Sequence, residues 1–149
     1  MSYRVISKNE EDTIVLAENI ESEKFKNMVI CLCGDLSSGK TLFVKGFAKA
    51  LEVRDDVTSP TFNIIKEYQG QMDLYHMDVY RCGTHTDCLG LEEYFTKGGI
   101  VMIEWADLIE KQLPKERLDI FFEVLENDIR VITMKPHGDK YEDVCEAVI

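Results

Sequence analysis

Residues 34–41 read Gly34-Asp35-Leu36-Ser37-Ser38-Gly39-Lys40-Thr41 and match the phosphate-binding pattern G-x-x-x-x-G-K-[ST]. Glycine lets such a loop curl so that successive backbone N–H groups point at phosphate oxygens. The lysine can reach the β and γ phosphates, and the threonine hydroxyl can ligate Mg2+. We therefore predict that this loop, together with Leu42, binds a nucleotide.

The segments on either side of the loop supply the context that the motif needs. Met28–Cys33 is a continuous apolar run, typical of a strand buried on both faces. Apolar residues then repeat at helical spacing from Phe43 to Leu51. The free N–H groups and the dipole at the start of that helix favour an anion. A chance match in an ordinary loop would lack this strand–loop–helix order, so the sequence favours the functional interpretation.

Further patterns predict strands on both sides of this unit. Two hairpins are predicted, one from Phe62–Tyr68 with Met72–Val79 and one from Leu118–Leu125 with Ile129–Lys135. Ile100–Ile103 is a second fully apolar run. The sum is an α/β fold, which we predict to be a single P-loop NTPase-type domain over residues 1–149, with a central mixed β-sheet flanked by helices.

Helical signals are weaker outside the loop. Ser7-x-x-Glu10 has the form of a capping box. A loose helical stripe follows it, formed by Ile14, Val15, Ala17 and Ile20. Short helices are also predicted over Gly90–Phe95, over Ala106–Leu113 and at the end of the chain.

Charge and cysteine usage exclude several classes of protein. The net charge is -11 and no basic run occurs, which disfavours direct binding to nucleic acid unless a partner supplies the positive charge. An odd number of cysteines, 5, without a C-x-x-C pair argues against a disulfide framework or a zinc site. No run is apolar enough to span a membrane and no signal region follows Met1, so we expect a cytoplasmic protein.

Acidic and hydroxyl residues outside the loop are the other candidates for chemistry. Glu104 follows a buried strand, where P-loop proteins place a second acid that organises Mg2+, although a solvated acid is common there too. If the strand before Asp78 persists, His76, Asp78 and Tyr80 share one face. Asp78 could then position water or hold the metal shell, and a solvated strand edge is equally consistent. The hydroxyls of Thr58–Thr61 could sense the γ phosphate, but turn hydrogen bonds explain them more simply.

Taken together in order, these motifs resemble the TsaE family, also called YjeE, small bacterial ATPases needed to make threonylcarbamoyladenosine in tRNA. The resemblance covers most of the chain and rests on the phosphate-binding loop and four further segments, Thr58-Ser59-Pro60-Thr61-Phe62, His76-Met77-Asp78-Val79-Tyr80-Arg81, Gly90-Leu91-Glu92-Glu93-Tyr94-Phe95 and Ile103-Glu104-Trp105-Ala106-Asp107. Each segment alone is weak, whereas five in the family's order are specific.

The resemblance implies ATP binding and slow hydrolysis with Mg2+, beside TsaD-like and TsaB-like partners that carry the transfer chemistry on tRNA. Within it, Lys40, Thr41 and Glu104 match the phosphate and metal residues. Asp78 matches an acid that serves hydrolysis, and Thr61 lies in a switch-like loop that contacts nucleotide. We therefore expect catalytic roles for Lys40, Asp78 and Glu104, and metal ligation by Thr41 and Glu104.

One departure concerns the loop itself, where the family usually has Gly-Ala and this chain has Ser37-Ser38. Ser37 pays a steric cost if the loop needs a positive φ there. Two other functions stay open on the same loop, a small-molecule kinase and a non-catalytic nucleotide sensor. A kinase usually carries an arginine-rich lid, and arginines are sparse in this sequence.

Overall fold

The computed structural model describes residues 1–35, 37–58, 64–80 and 90–149. They form a seven-stranded sheet with the strand order β1-β7-β6-β2-β5-β4-β3. The strands are β1 (Tyr3–Ser7), β2 (Val29–Gly34), β3 (Ile65–Gln69), β4 (Asp73–Asp78), β5 (Ile100–Glu104), β6 (Arg117–Val124) and β7 (Arg130–His137). The α-helices are α1 (Glu10–Glu21), α2 (Lys40–Ala50) and α3 (Asp139–Val148), and shorter 3-10 helices span Leu91–Thr96, Ala106–Gln112 and Glu126–Asp128.

The sheet is mixed, as predicted. Strand β2 runs parallel to β5 and β6, and β4 runs parallel to β5. The outer pairs β3–β4, β6–β7 and β1–β7 are antiparallel. Because parallel strands end at the same edge of a sheet, the carboxyl ends of β2, β4 and β5 meet there, which is where such sheets bind ligands.

Two apolar clusters cover the two faces of the sheet. On one face the three α-helices bury residues such as Leu16, Phe43 and Tyr141 against Ile30 and Leu32 of β2. A close approach between α1 and α2 depends on Gly46, since a Cβ there would lie 3.3 Å from the Ala17 side chain. On the other face the 3-10 helices Leu91–Thr96 and Ala106–Gln112 cover β2, β4 and β5. The central strands are thus buried on both faces, which explains their continuous apolar runs.

The start of α1 differs from the prediction. Its N-cap is Asn9, whose side chain accepts a hydrogen bond of 2.9 Å from the N–H of Asp12. Asp12 in turn accepts one of 2.9 Å from the N–H of Lys8. Ser7 is the last residue of β1, and its hydroxyl lies 2.7 Å from that of Thr13. The capping box at Ser7 was therefore wrong, because a second set of capping residues begins two positions later.

Other boundaries also moved. Within α1 the buried stripe includes Thr13 and Leu16, whereas Val15 is 41% exposed. The edge strand β1 was not predicted, because it is only 5 residues long and Ile6 on its outer face is 49% exposed. The second hairpin, the strand after Gly99 and the final helix were confirmed with shifts of a few residues at their ends. The first hairpin is formed by β3 and β4, and Phe62 and Asn63 of its predicted first strand lie outside the described residues. In the described part of the chain, no helix has the length and apolar character needed to cross a membrane.

Candidate functional site

The predicted phosphate-binding loop connects the carboxyl end of β2 to the first turn of α2. Gly34 has a φ of 149°, and a Cβ there would lie 2.7 Å from the Phe122 carbonyl oxygen, so no side chain fits. Gly39 caps α2 with a φ of 114°. Ser37 has a φ of 63°, so it adopts the left-handed conformation in which a serine pays a steric cost. Leu36 lies outside the described residues.

Lys40 is buried inside this loop, at 4% exposure. Its Nζ donates to the carbonyl oxygen of Gly34 and, over 2.9 Å, to that of Asp35. The same amine lies 3.8 Å from the ring centroid of Trp105. Burial lowers the pKa of Lys40, and the nearby carboxylate of Glu104 opposes that shift. The amine is therefore held by loop carbonyls and an aromatic face, a cation-binding environment.

Glu104 joins the loop to the neighbouring strands. The Thr41 hydroxyl donates to both of its carboxylate oxygens, over 3.0 and 3.2 Å. On the other side, Nε2 of His76 lies 2.5 Å from Oε2. Glu104 is 3% exposed and His76 is fully buried, so neither is the solvated residue that the sequence also allowed. The two residues predicted to bind a metal, Thr41 and Glu104, are therefore in direct contact.

Asp78 ends β4 directly opposite Glu104 in the strand register. Its carboxylate accepts a 3.0 Å hydrogen bond from the N–H of Tyr80. Burial raises the pKa of Asp78, and the hydrogen bond from Tyr80 opposes the rise. Tyr80 itself lies beyond the strand, 60% exposed, with its ring 4.7 Å from that of Trp105. The strand ends at Asp78, so the condition under which Tyr80 would share the face of His76 and Asp78 is not met.

Arg130, the first residue of β7, was not predicted to take part. Its guanidinium donates to the carbonyl oxygens of Ser38 over 2.9 Å and Ser37 over 3.3 Å. It also donates over 2.9 Å to Asp128 in the β6–β7 turn. A planar trans peptide points its C=O and its N–H in opposite directions, so holding the Ser38 carbonyl turns the Gly39 N–H the other way. The arginine thereby fixes the orientation of a peptide plane in the loop.

These residues surround one open cavity of about 290 Å³ at the carboxyl edge of the sheet. Its lining includes Glu10, Ser37, Ser38, Gly39, Lys40, Thr41, Leu42, Asp78, Glu104, Trp105 and Arg130. A larger surface depression of about 740 Å³ lies at Glu52–Asp55 and the β3–β4 turn, away from the loop. We assign the site to the smaller cavity because it gathers the predicted phosphate and metal side chains. Thr61 of the switch-like segment lies outside the described residues.

Comparison with known proteins agrees with the motifs. The family model described as "Threonylcarbamoyl adenosine biosynthesis protein TsaE" matches residues 7–132. A Bacillus subtilis protein named "tRNA threonylcarbamoyladenosine biosynthesis protein TsaE" is 48% identical over 139 residues, 93% of this chain and 88% of that protein. A Treponema pallidum protein of the same name is 35% identical over 133 residues, 88% of this chain and 98% of its own length.

A solved structure extends the similarity to the fold. The crystal structure of Bacillus subtilis YdiB superposes with a TM-score of 0.85 at 42% sequence identity. The match covers 99% of this chain and 94% of that one. The α/β architecture with a mixed sheet is therefore shared along the whole length of the chain.

Proposed function

This chain belongs to the TsaE family, and we propose that it is a slow, Mg2+-dependent cytoplasmic ATPase that serves threonylcarbamoyl modification of adenosine in tRNA. One observation carries the ATPase part of the proposal. Lys40 and Thr41, in the first turn of α2, and Glu104, at the end of β5, line one cavity at the carboxyl edge of the sheet. A lysine, a hydroxyl and a carboxylate in that arrangement are what a phosphate-binding loop uses to hold a nucleotide and its metal.

The donors at this site suit Mg2+. The Thr41 hydroxyl and the Glu104 carboxylate are in direct contact, at 3.0 Å. Mg2+ usually keeps several waters and takes one or two carboxylates plus substrate phosphates, so it needs no all-protein cage. Thr41 and Glu104 would hold the ion, which neutralises charge on the phosphates.

Lys40 and the loop amides bind the phosphates in this proposal. The lysine must exchange its bonds to Gly34 and Asp35 for phosphate oxygens. With a phosphate both partners of the hydrogen bond are charged, whereas with a carbonyl only the lysine is, so the phosphate is the stronger acceptor. The left-handed Gly39 at the start of α2 leaves room for an anion near the N–H groups of that helix.

Asp78 acts on the water that attacks the γ phosphate. It lines the same cavity as Lys40 and lies beside Glu104 at the ends of adjacent strands. A half-buried carboxylate that accepts a backbone hydrogen bond is held in one place, and its free lone pairs can orient a water molecule. Its role is therefore hydrolysis, with little part in nucleotide affinity.

Partner proteins complete this site. Among the described residues that line the cavity, Lys40 and Arg130 are the basic ones, and Arg130 is engaged by loop carbonyls. P-loop enzymes that receive a charged group in trans gain about 10³–10⁵ in rate. We assign that contribution to TsaD-like and TsaB-like proteins. The tRNA reaches this chain through the complex, because a net charge of -11 opposes direct approach to RNA.

The test is a phosphate-release assay with the purified chain alone and then with both partner proteins. We expect slow release alone, a clear increase with partners, and no dependence on a small-molecule acceptor. tRNA binding is measured in parallel at two salt concentrations. Phosphate transfer to an acceptor would favour the kinase, and full-rate hydrolysis by the lone chain would overturn the partner requirement.

A further inference from the structure

A fully buried histidine contacts the carboxylate of the metal site from the side away from the cavity. His76 lies on β4 opposite Met102 of β5, and Glu104 lies two residues further along β5 on the same face. Nε2 of His76 is 2.5 Å from Oε2 of Glu104. His76 has 0% exposure and does not contact solvent. The function proposed above does not by itself give His76 a role.

The contact defines which ring nitrogen carries the proton. Glu104 accepts hydrogen bonds from Thr41, as an ionised carboxylate does. An ionised carboxylate can only accept, so the ring nitrogen that faces it must be N–H. The 2.5 Å contact is therefore a hydrogen bond from Nε2–H to Oε2 when Glu104 is ionised. Nδ1 of His76 is buried without a hydrogen-bond partner among the described residues, so a proton on Nδ1 would be left unpaired there.

The two donors on Glu104 differ in what else they must do. Thr41 is also a predicted metal ligand and lines the cavity, so its hydroxyl serves both the carboxylate and the ion. His76 is fully buried and is not among the residues that line the cavity, so nothing in the proposed reaction competes for its N–H. A donor of this kind fixes a ligating oxygen in direction and leaves the other oxygen for the ion or its waters.

We propose that His76 is the positioning residue of the Mg2+ site, and that its Nε2–H bond orients the Glu104 carboxylate towards the cavity. This inference rests on the proposed ATP and Mg2+ binding and assigns it a second layer of residues. His76 touches neither nucleotide nor metal in this proposal. Its loss should therefore alter the Mg2+ dependence of ATP binding and leave ATP binding without metal unchanged.

The experiment compares three variants by calorimetric titration of ATP, in EDTA and at graded Mg2+. His76→Leu removes the N–H donor and fills the buried position with an apolar side chain. His76→Gln keeps an N–H at similar reach. Leu74→Met is the matched control, because Leu74 is also fully buried on the same face of β4. Volume-conserving changes of this kind are well tolerated in cores.

We expect His76→Leu to raise the Mg2+ concentration for half-maximal enhancement by about 10- to 100-fold, the usual cost of losing an outer-shell partner. Its ATP affinity in EDTA should match that of the wild type. His76→Gln should recover most of the metal dependence, and Leu74→Met should change neither quantity. Unchanged metal dependence in His76→Leu, or an equal loss in Leu74→Met, overturns the inference. A wild-type protein that binds no ATP at all counts instead against the proposed function.

A measurement on the wild type covers the case in which His76→Leu does not fold. Nitrogen-15 shifts of the imidazole ring, assigned by their loss in His76→Gln, identify the tautomer. We expect Nε2–H, and we expect both ring resonances to move more with Mg2+ and ATP than with ATP in EDTA. An Nδ1–H ring, or shifts indifferent to Mg2+, would contradict the positioning role.

Discussion

The guanidinium Nε of Arg130 lies 2.9 Å from the carbonyl oxygen of Ser38, although the two residues are 92 positions apart in the chain. The bond ties the start of β7 to the phosphate-binding loop, across β6 and the end of β2. The loop is therefore supported from outside by a strand pair that carries none of the predicted phosphate or metal ligands.

A first prediction concerns this support. Arg130→Lys should weaken ATP binding by about 10-fold, because a single ammonium cannot hold the Ser37, Ser38 and Asp128 carbonyls together in one plane. Calorimetric titration gives the affinity. Arg117→Lys is the control, since Arg117 is bonded to Asp119 and Pro114, outside the loop. Equal ATP affinity in Arg130→Lys and the wild type would show that the loop keeps its shape without the guanidinium hydrogen bonds.

The second prediction concerns ligand-linked stability. ATP with Mg2+ should stabilise the wild-type fold by about 2.7 kcal/mol at a hundredfold excess over Kd. Lys40→Ala should lose most of that gain, because its charge balances the phosphates. Thermal unfolding with and without ligand measures both values. Lys45→Ala, an exposed position on the same helix, is the control. If ATP with Mg2+ raised the unfolding temperature of Lys40→Ala as much as that of the wild type, the loop would not be the nucleotide-binding site.

A third prediction separates the two acids. Glu104→Ala should weaken Mg2+-dependent ATP binding and turnover together, because it removes the partner of Thr41. Asp78→Asn should slow hydrolysis and leave ATP binding largely intact, because the amide keeps the shape but cannot act as the carboxylate does. Titration and phosphate release on both variants give the comparison. If Asp78→Asn loses binding as severely as Lys40→Ala, the division of roles is wrong.

The strain at Ser37 gives a fourth prediction. Ser37→Gly should bind ATP as tightly as the wild type or more tightly, because its φ of 63° costs a residue with a Cβ about 1–2 kcal/mol. Added flexibility of the empty loop works against this gain. Glu52→Gly is a matched control, with a φ of 67° in the wild type at the end of α2 and away from the loop. Glu52→Gly should change the stability of the fold and leave ATP affinity unchanged. A clear loss of ATP affinity in Ser37→Gly would reveal a contact made by the serine side chain.

Local patterns predicted the parts of the site that lie close together in sequence. The loop motif and the buried strand before Glu104 singled out Lys40, Thr41 and Glu104, and the structure brings all three to one cavity because parallel strands end at one edge of the sheet. The role of Arg130 could not be predicted, since its partners lie across two strand pairings that no local periodicity reports. The contact of His76 with Glu104 spans 28 residues and needs the register of β4 against β5.

The indole ring beside Lys40 gives the molecule a built-in optical reporter. The sequence contains 1 tryptophan, so all intrinsic indole emission comes from Trp105. Its ring centroid lies 3.8 Å from the Lys40 amine and 4.7 Å from the ring of Tyr80. A ligand that draws the ammonium away changes the charge over the ring, and with it the colour and intensity of the emitted light. Occupancy of the loop can therefore be followed in the unlabelled wild-type chain.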